Sequence, residues 1–138
     1  MRAFLRGGVV LAMLTLWAVG SSEAQEGLTK RDGQGPVSVT VTLTAPPAVG
    51  APVKAKVVLD THSVGLDGIK FEEAVVLRTP DGTDIAPVAV EQTSGAGHHR
   101  EAVLVFPPLA RPGDVRIVVK NVGGVAERSF SWELPPTR

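Results

Sequence analysis

The 138-residue sequence predicts an all-β fold in which two antiparallel sheets pack as a sandwich. Apolar and polar residues alternate along several short stretches, as expected for strands that bury one face. Turns rich in proline and glycine separate these stretches. No stretch shows the spacing of an amphipathic helix.

The first three strands are predicted from this alternation. Residues 37–44, VSVTVTLT, place valine and leucine on one face and hydroxyl side chains on the other. Residues 53–62, VKAKVVLDTH, alternate again after the proline-rich break APPAVGAP. Residues 71–79 form the third predicted strand, which ends at the turn PDGT because proline and glycine there favour a tight bend.

The remaining four strands follow at similar intervals. Residues 84–92 contain Pro87, which predicts a sheet edge because proline cannot donate to a strand ladder. The last three predicted strands are 100–106, 115–122 and 126–134. Seven short strands are typical of an immunoglobulin or fibronectin III sandwich. The chain has no cysteine for an inter-sheet disulfide and no tyrosine for a tyrosine corner, so strand number and spacing alone support this prediction.

The first 24 residues have the pattern of a secretory signal peptide. Arg2 and Arg6 precede an apolar run, and the small residues Ser22 and Ala24 suit a cleavage site before Gln25. The apolar run is shorter than the roughly 20 residues of a membrane span. We therefore expect a periplasmic or secreted protein that is not membrane-bound after cleavage.

Three further segments complete the predicted organisation. Residues 25–36 are polar and are predicted to be a flexible lead-in, 37–134 the sandwich domain, and 135–138 a loose tail. Without residues 1–24 the chain keeps 12 basic and 13 acidic residues, a formal net charge of −1. Such a balance offers no electrostatic reason to expect a nucleic-acid partner.

Alternating strand direction predicts that three polar connections meet at one end of the sandwich. They are 60–68, 92–101 and 121–128, and they hold all three histidines of the chain. Loops at one end of a rigid sandwich are the usual place for binding. This end is therefore the predicted binding surface.

A divalent metal is one expected ligand of this end. Imidazole and carboxylate suit zinc or copper(II), and the candidate ligands are Asp60, His62, His98 and His99. The glycines of GAGHHRE would have to bend the loop for both adjacent rings to converge. Further candidate binding residues at the same end are Asp67, Arg100, Glu101 and Arg128.

The same residues fit two other interpretations. His98, His99 and Arg100 could pair with Asp67, Glu101 or Glu127 in a hydrogen-bond network that only fixes the loops. Ser63 or Ser94 with a histidine and Asp60 could form a nucleophilic triad. Because no nucleophile elbow surrounds either serine, we do not expect an enzyme.

The stretches LDTHSVGLDG, GAGHHRE and NVGGVAERSFSWEL resemble a family of small exported bacterial proteins of uncharacterised function, with DTHS and GHHR motifs on an immunoglobulin-like sandwich. The resemblance covers most of residues 37–134. It implies that Asp60, His62, His98, His99 and Arg100 recur in the family, and it brings no established activity. The methionine-rich segments of periplasmic copper carriers are absent from this chain.

The sequence thus leaves two functions open. The first is an exported, non-catalytic binding module whose histidine-rich end contacts a divalent metal or an exported protein. The alternative is a structural or protein-interaction domain in which the histidines belong to an internal hydrogen-bond network.

Overall fold

The computed structural model describes residues 27–138, which fold into two antiparallel β-sheets packed as a sandwich. The predicted signal peptide and its cleavage site lie outside the described residues. Within residues 27–138, no helix has the length and apolar character needed to cross a membrane.

The described chain forms nine strands and a single-turn helix. In chain order they are β1 (Thr29–Asp32), β2 (Val37–Leu43), β3 (Val53–Thr61), α1 (Phe71–Ala74), β4 (Val75–Arg78), β5 (Asp84–Ile85), β6 (Ala89–Ala96), β7 (His99–Phe106), β8 (Gly113–Val122) and β9 (Val125–Leu134). The first sheet has the order β1-β2-β3-β7-β6, and the second has the order β5-β4-β8-β9.

The core confirms the period-two pattern predicted from the sequence. Along β2, Val37, Val39 and Val41 are fully buried, whereas the hydroxyl residues between them are half-buried. Phe130 and Trp132 of β9 are also buried in the core, on the second sheet. Burying such side chains stabilises the fold by roughly 1.5–3 kcal/mol each.

The strand count differs from the prediction of seven, first because the fourth predicted strand is divided. Residues 84–85 pair with β4 in the second sheet, and 89–96 pair with β7 in the first. Pro87 lies between the two pieces, where the missing N–H of proline costs no ladder hydrogen bond. Both pieces are edge strands, so the edge position predicted from Pro87 is confirmed.

The second difference lies in the lead-in 25–36, which is not wholly without structure. Thr29–Asp32 form β1, whose residues pair with Val39–Thr42 of β2. Three of the four β1 side chains are exposed and the fourth is half-buried. The prediction failed because such a strand carries no apolar alternation in its sequence.

Residues 71–79 begin with helix α1 rather than with strand. No side chain caps its N-terminus at Lys70, and a single turn is unstable alone because helix nucleation is unfavourable. The turn is held by Phe71, which is buried in the core near the end of the sandwich that carries the histidines. The tail residues 135–138 are exposed and outside regular structure.

Candidate functional site

The three polar connections meet at one end of the sandwich, as predicted. The Thr61 amide donates to the His98 carbonyl at 2.9 Å, which joins the first two connections. Gly123 in the third packs against Val37, the residue that stands opposite Thr61 in the sheet. We call this surface, formed by residues 60–70, 95–101 and 121–124, the loop end.

The stretch GAGHHRE is a tight β-hairpin. Ala96 and His99 form its last strand pair, so Gly97 and His98 are the two turn residues. Gly97 has a φ of 68°, which matches the positive first central residue of a type II′ turn. At Gly95 (φ 84°) a side-chain Cβ would lie 2.2 Å from the His99 carbonyl oxygen. The glycines therefore build the hairpin, which places His98 in the turn and His99 on the strand.

His99 stands directly opposite Asp60 across β3 and β7. Its Nδ1 lies 2.5 Å from Asp60 Oδ1, and its Nε2 lies 3.5 Å from Glu101 Oε2. Glu101 also lies 3.3 Å from Lys56 Nζ. These four side chains form a line of alternating charge on the outer face of the first sheet, and the His99 side chain remains about half exposed, at 51%.

The neighbouring carboxylates favour the charged form of His99. The hydrogen bond to Asp60 is the main cause that raises the pKa of His99 above its usual value, and Glu101 adds to it. Lys56 and then His99 lower the pKa of Glu101. The geometry thus gives His99 a hydrogen-bonding role.

The loop from 62 to 70 is fixed to the hairpin by several hydrogen bonds. The Gly97 amide donates to Asp67 Oδ1 at 2.8 Å, and the Leu66 amide donates to the Gly97 carbonyl at 2.9 Å. Arg100 Nη1 donates to the carbonyls of Leu66 and Ile69. The guanidinium also lies 5.0 Å from the centre of the Phe71 ring. Asp67 and Arg100, predicted as ligand contacts, therefore bind the protein's own backbone.

Arg128 was predicted as a binding residue of the exposed polar end, whereas the structure buries its side chain. The residue is 1% exposed. Its guanidinium donates to the carbonyls of Val37 at 2.6 Å and Val122 at 3.1 Å. Arg128 follows the alternation of β9, on the same buried face as Phe130 and Trp132. Sequence reasoning missed its burial because the charged side chain was assigned to the exposed polar end.

The four candidate metal ligands are only partly brought together. Asp60 and His99 form a direct pair, while His62 and His98 are exposed. Within residues 27–138, no group of three or more His, Cys, Asp and Glu side chains is placed so that it could hold a metal ion.

A second charged cluster, not predicted from the sequence, lies on the outer face of the second sheet. Arg78 makes paired hydrogen bonds of 2.7–3.1 Å to Asp84 and of 3.1 Å to Glu127, and Lys120 lies 2.7 Å from Asp84. Arg78 lowers the pKa of both carboxyl groups, and they raise its own. Glu127 was one of three carboxylates considered as partners of the histidines and Arg100. It joins Arg78 instead, across 49 residues of sequence.

An open cleft of about 550 Å³ lies between the β4–β5 turn and the β7–β8 connection. Proline, leucine and alanine form much of its wall, and Asp81 and Arg111 also line it. The pKa of Asp81 is lowered chiefly by hydrogen bonds from Thr79 and Thr83, so this carboxylate is already occupied by its own turn.

Comparison with protein-family models, with curated proteins and with solved structures finds no match for this chain. The family resemblance drawn from DTHS and GHHR accordingly stays a prediction.

Proposed function

We propose that this chain is an exported, non-catalytic binding module with an immunoglobulin-like fold. The strand order supports the fold assignment. We assign the letters A to G, in chain order, to β2, β3, β4, β6, β7, β8 and β9. The strand order is then A-B-E-D in the first sheet and C-F-G in the second. This is the strand order of immunoglobulin domains. In this scheme β5 is an extra strand beside C, and β1 is an extra strand beside A.

The observation that carries the binding role is the rigidity of the loop end. Backbone hydrogen bonds from Thr61 and Leu66 fix the loop to the hairpin. The Arg100 side chain adds hydrogen bonds to two carbonyls of the same loop. The exposed side chains of His62 and His98 therefore stand on a fixed support. A surface that is ordered before it meets its partner loses less entropy on binding.

The proposed ligand of the loop end is an exported protein rather than a metal ion. Both ring nitrogens of His99 already lie against carboxylates, Nδ1 at 2.5 Å from Asp60 and Nε2 at 3.5 Å from Glu101. Exposed histidine and carboxylate side chains can instead exchange hydrogen bonds with a polar partner surface.

Site-specific photo-crosslinking tests this proposal. A photoreactive amino acid is placed at His98, and a matched control is placed at Pro108, which is exposed on the β7–β8 connection. In cells that export the chain, we expect a discrete adduct from position 98 that disappears with Arg100→Ala, which frees the loop. Equal adducts from both positions, or none from position 98, would contradict the proposal.

Metal titration of the purified protein separates the two ligand classes. A metal at 100 times its dissociation constant stabilises the native state by about 2.7 kcal/mol, roughly 10 °C in the melting temperature of a domain of this size. We expect no such shift with zinc or copper(II). A shift that His62→Ala removes would favour the metal instead.

A further inference from the structure

Strand β1 is attached to the sandwich mainly through polar contacts. It has four residues, and none of them belongs to the hydrophobic core. It pairs with β2 at the edge of the first sheet. Because its side chains bury little apolar surface, its release costs far less hydrophobic free energy than the release of a core strand.

β1 also touches the edge strand of the opposite sheet. Lys30 Nζ donates to the Ser131 carbonyl and lies 5.2 Å from the centre of the Trp132 ring. The indole N–H of Trp132 donates to the Gly27 carbonyl at 2.9 Å, just before β1. The chain therefore lies in a groove between the edge of β2 and strand β9.

Arg128 lies at the other end of this groove and is imperfectly paired. The Asp32 carboxylate approaches Arg128 Nη1 only to 3.7 Å. Its two oxygens accept hydrogen bonds of 2.8 Å from the backbone and side-chain amides of Gln34. Arg128 Nε is buried and has no hydrogen-bond partner. A buried, unpaired guanidinium N–H is costly, so a carboxylate that reached Nε of Arg128 would be bound more strongly than Asp32.

We propose that the groove along β2 is a peptide-binding site that β1 occupies as an internal substitute. The ligand is an extended partner segment that carries a basic residue two positions before a carboxylate. It pairs antiparallel with β2 in place of β1, its cation lies over Trp132, and its carboxylate reaches Arg128. Adding a strand to an exposed sheet edge is a common mode of peptide recognition.

This site lies apart from the exposed histidines of the loop end, and it does not depend on the binding role proposed for them. Removal of β1 would expose the backbone of Val39–Thr42 for pairing with another strand. It would also expose the face of the Trp132 ring that Lys30 covers. The apparent affinity for the segment then scales with the fraction of molecules in which β1 is released.

A disulfide lock provides the test. Thr29 and Thr42 stand opposite each other with their hydroxyl oxygens 2.9 Å apart, which is compatible with disulfide geometry. The chain has no cysteine, so a Thr29→Cys/Thr42→Cys variant can form only this bond within one molecule. Oxidation fixes β1 in place, and reduction frees it.

The probe is a fluorescein-labelled peptide with the sequence of residues 27–33, GLTKRDG, and its binding is measured by fluorescence anisotropy. A control peptide has serine in place of its lysine and aspartate. We expect the reduced variant and the wild-type chain to bind the probe, and the oxidised variant to bind at least about tenfold more weakly, because the lock removes the released population. The control peptide should bind neither form.

Lys30→Ala guards against misfolding of the cysteine variant, since it removes only an exposed side chain from β1. It should strengthen probe binding several-fold by releasing β1 more often. Equal binding by oxidised and reduced protein would overturn the proposal. So would failure of both the wild type and Lys30→Ala to bind, or hydrogen exchange of β1 amides as slow as that of β3.

Discussion

Asp60 and His99 form a directly opposed pair on the two central strands β3 and β7, with their side-chain atoms 2.5 Å apart. The pair lies at the strand ends, where the loop from residue 62 leaves the sheet and the hairpin turn begins. The Glu101 carboxylate lies 3.5 Å from the other ring nitrogen of His99, Nε2. The contact between Asp60 and His99 joins a side chain of the DTHS motif to one of the GHHR motif, while His62 and His98 remain exposed.

Asp60→Asn should lower the pKa of His99 toward its ordinary value. A histidine whose pKa is raised by folding contributes stability below its unfolded pKa of about 6.5, and that contribution is lost as pH rises through the folded pKa. NMR titration of the His99 ring measures the change, with Asp67→Asn as the control. An unchanged His99 midpoint in Asp60→Asn would contradict the assignment.

Arg128→Met should destabilise the fold strongly. The substitution keeps apolar bulk but leaves the buried carbonyls of Val37 and Val122 without their donor, at a cost of about 1–3 kcal/mol for each unsatisfied group. Urea denaturation should show a loss of about 3 kcal/mol. Arg111→Met is the control because Arg111 is exposed, and it should stay within about 0.5 kcal/mol of wild type.

Gly95→Ala and Gly124→Ala form a matched pair. Both glycines have positive φ, 84° and 74°, so each substitution carries the left-handed penalty of about 1–2 kcal/mol. A Cβ at Gly124 meets no atom within 4 Å, whereas one at Gly95 meets the His99 carbonyl oxygen at 2.2 Å. Thermal melts should therefore show a clearly larger loss for Gly95→Ala. Equal losses would mean that the hairpin moves freely.

Arg78→Met should lower the stability at neutral pH and weaken its dependence on pH in the acidic range. Asp84 and Glu127 have pKa values lowered chiefly by Arg78, so they contribute stability above their unfolded pKa values of about 4. This contribution is lost as pH falls through their folded values. The variant should be less stable than wild type at pH 7, and the difference should shrink toward pH 2.

Circular dichroism across this range measures the effect, and Arg116→Met serves as the control since Arg116 pairs with Asp114 alone among the described ion pairs. A stability difference that persists unchanged at low pH would show that Arg78 acts through its packing over β8 and not through its charge.

The alternation of the sequence determined most of the strands and which of their faces are buried. Val37, Val39 and Val41 could be assigned to the core because side chains on a strand alternate between two faces, which is a local property of the chain. Pro87 marked a sheet edge for an equally local reason, its missing backbone donor. The glycines of GAGHHRE also predicted that the chain bends there.

Only the tertiary structure decided which polar residues meet. His99 reaches Asp60 because β7 lies beside β3 in one particular register, and a shift by one residue would turn the ring to the opposite face. Arg78 meets Glu127 because β8 lies between their strands. β1 escaped prediction because its contacts with β2, Trp132 and Arg128 are made to distant residues. Strand formation follows from neighbours along the chain, whereas pairing depends on how the sheets close in space.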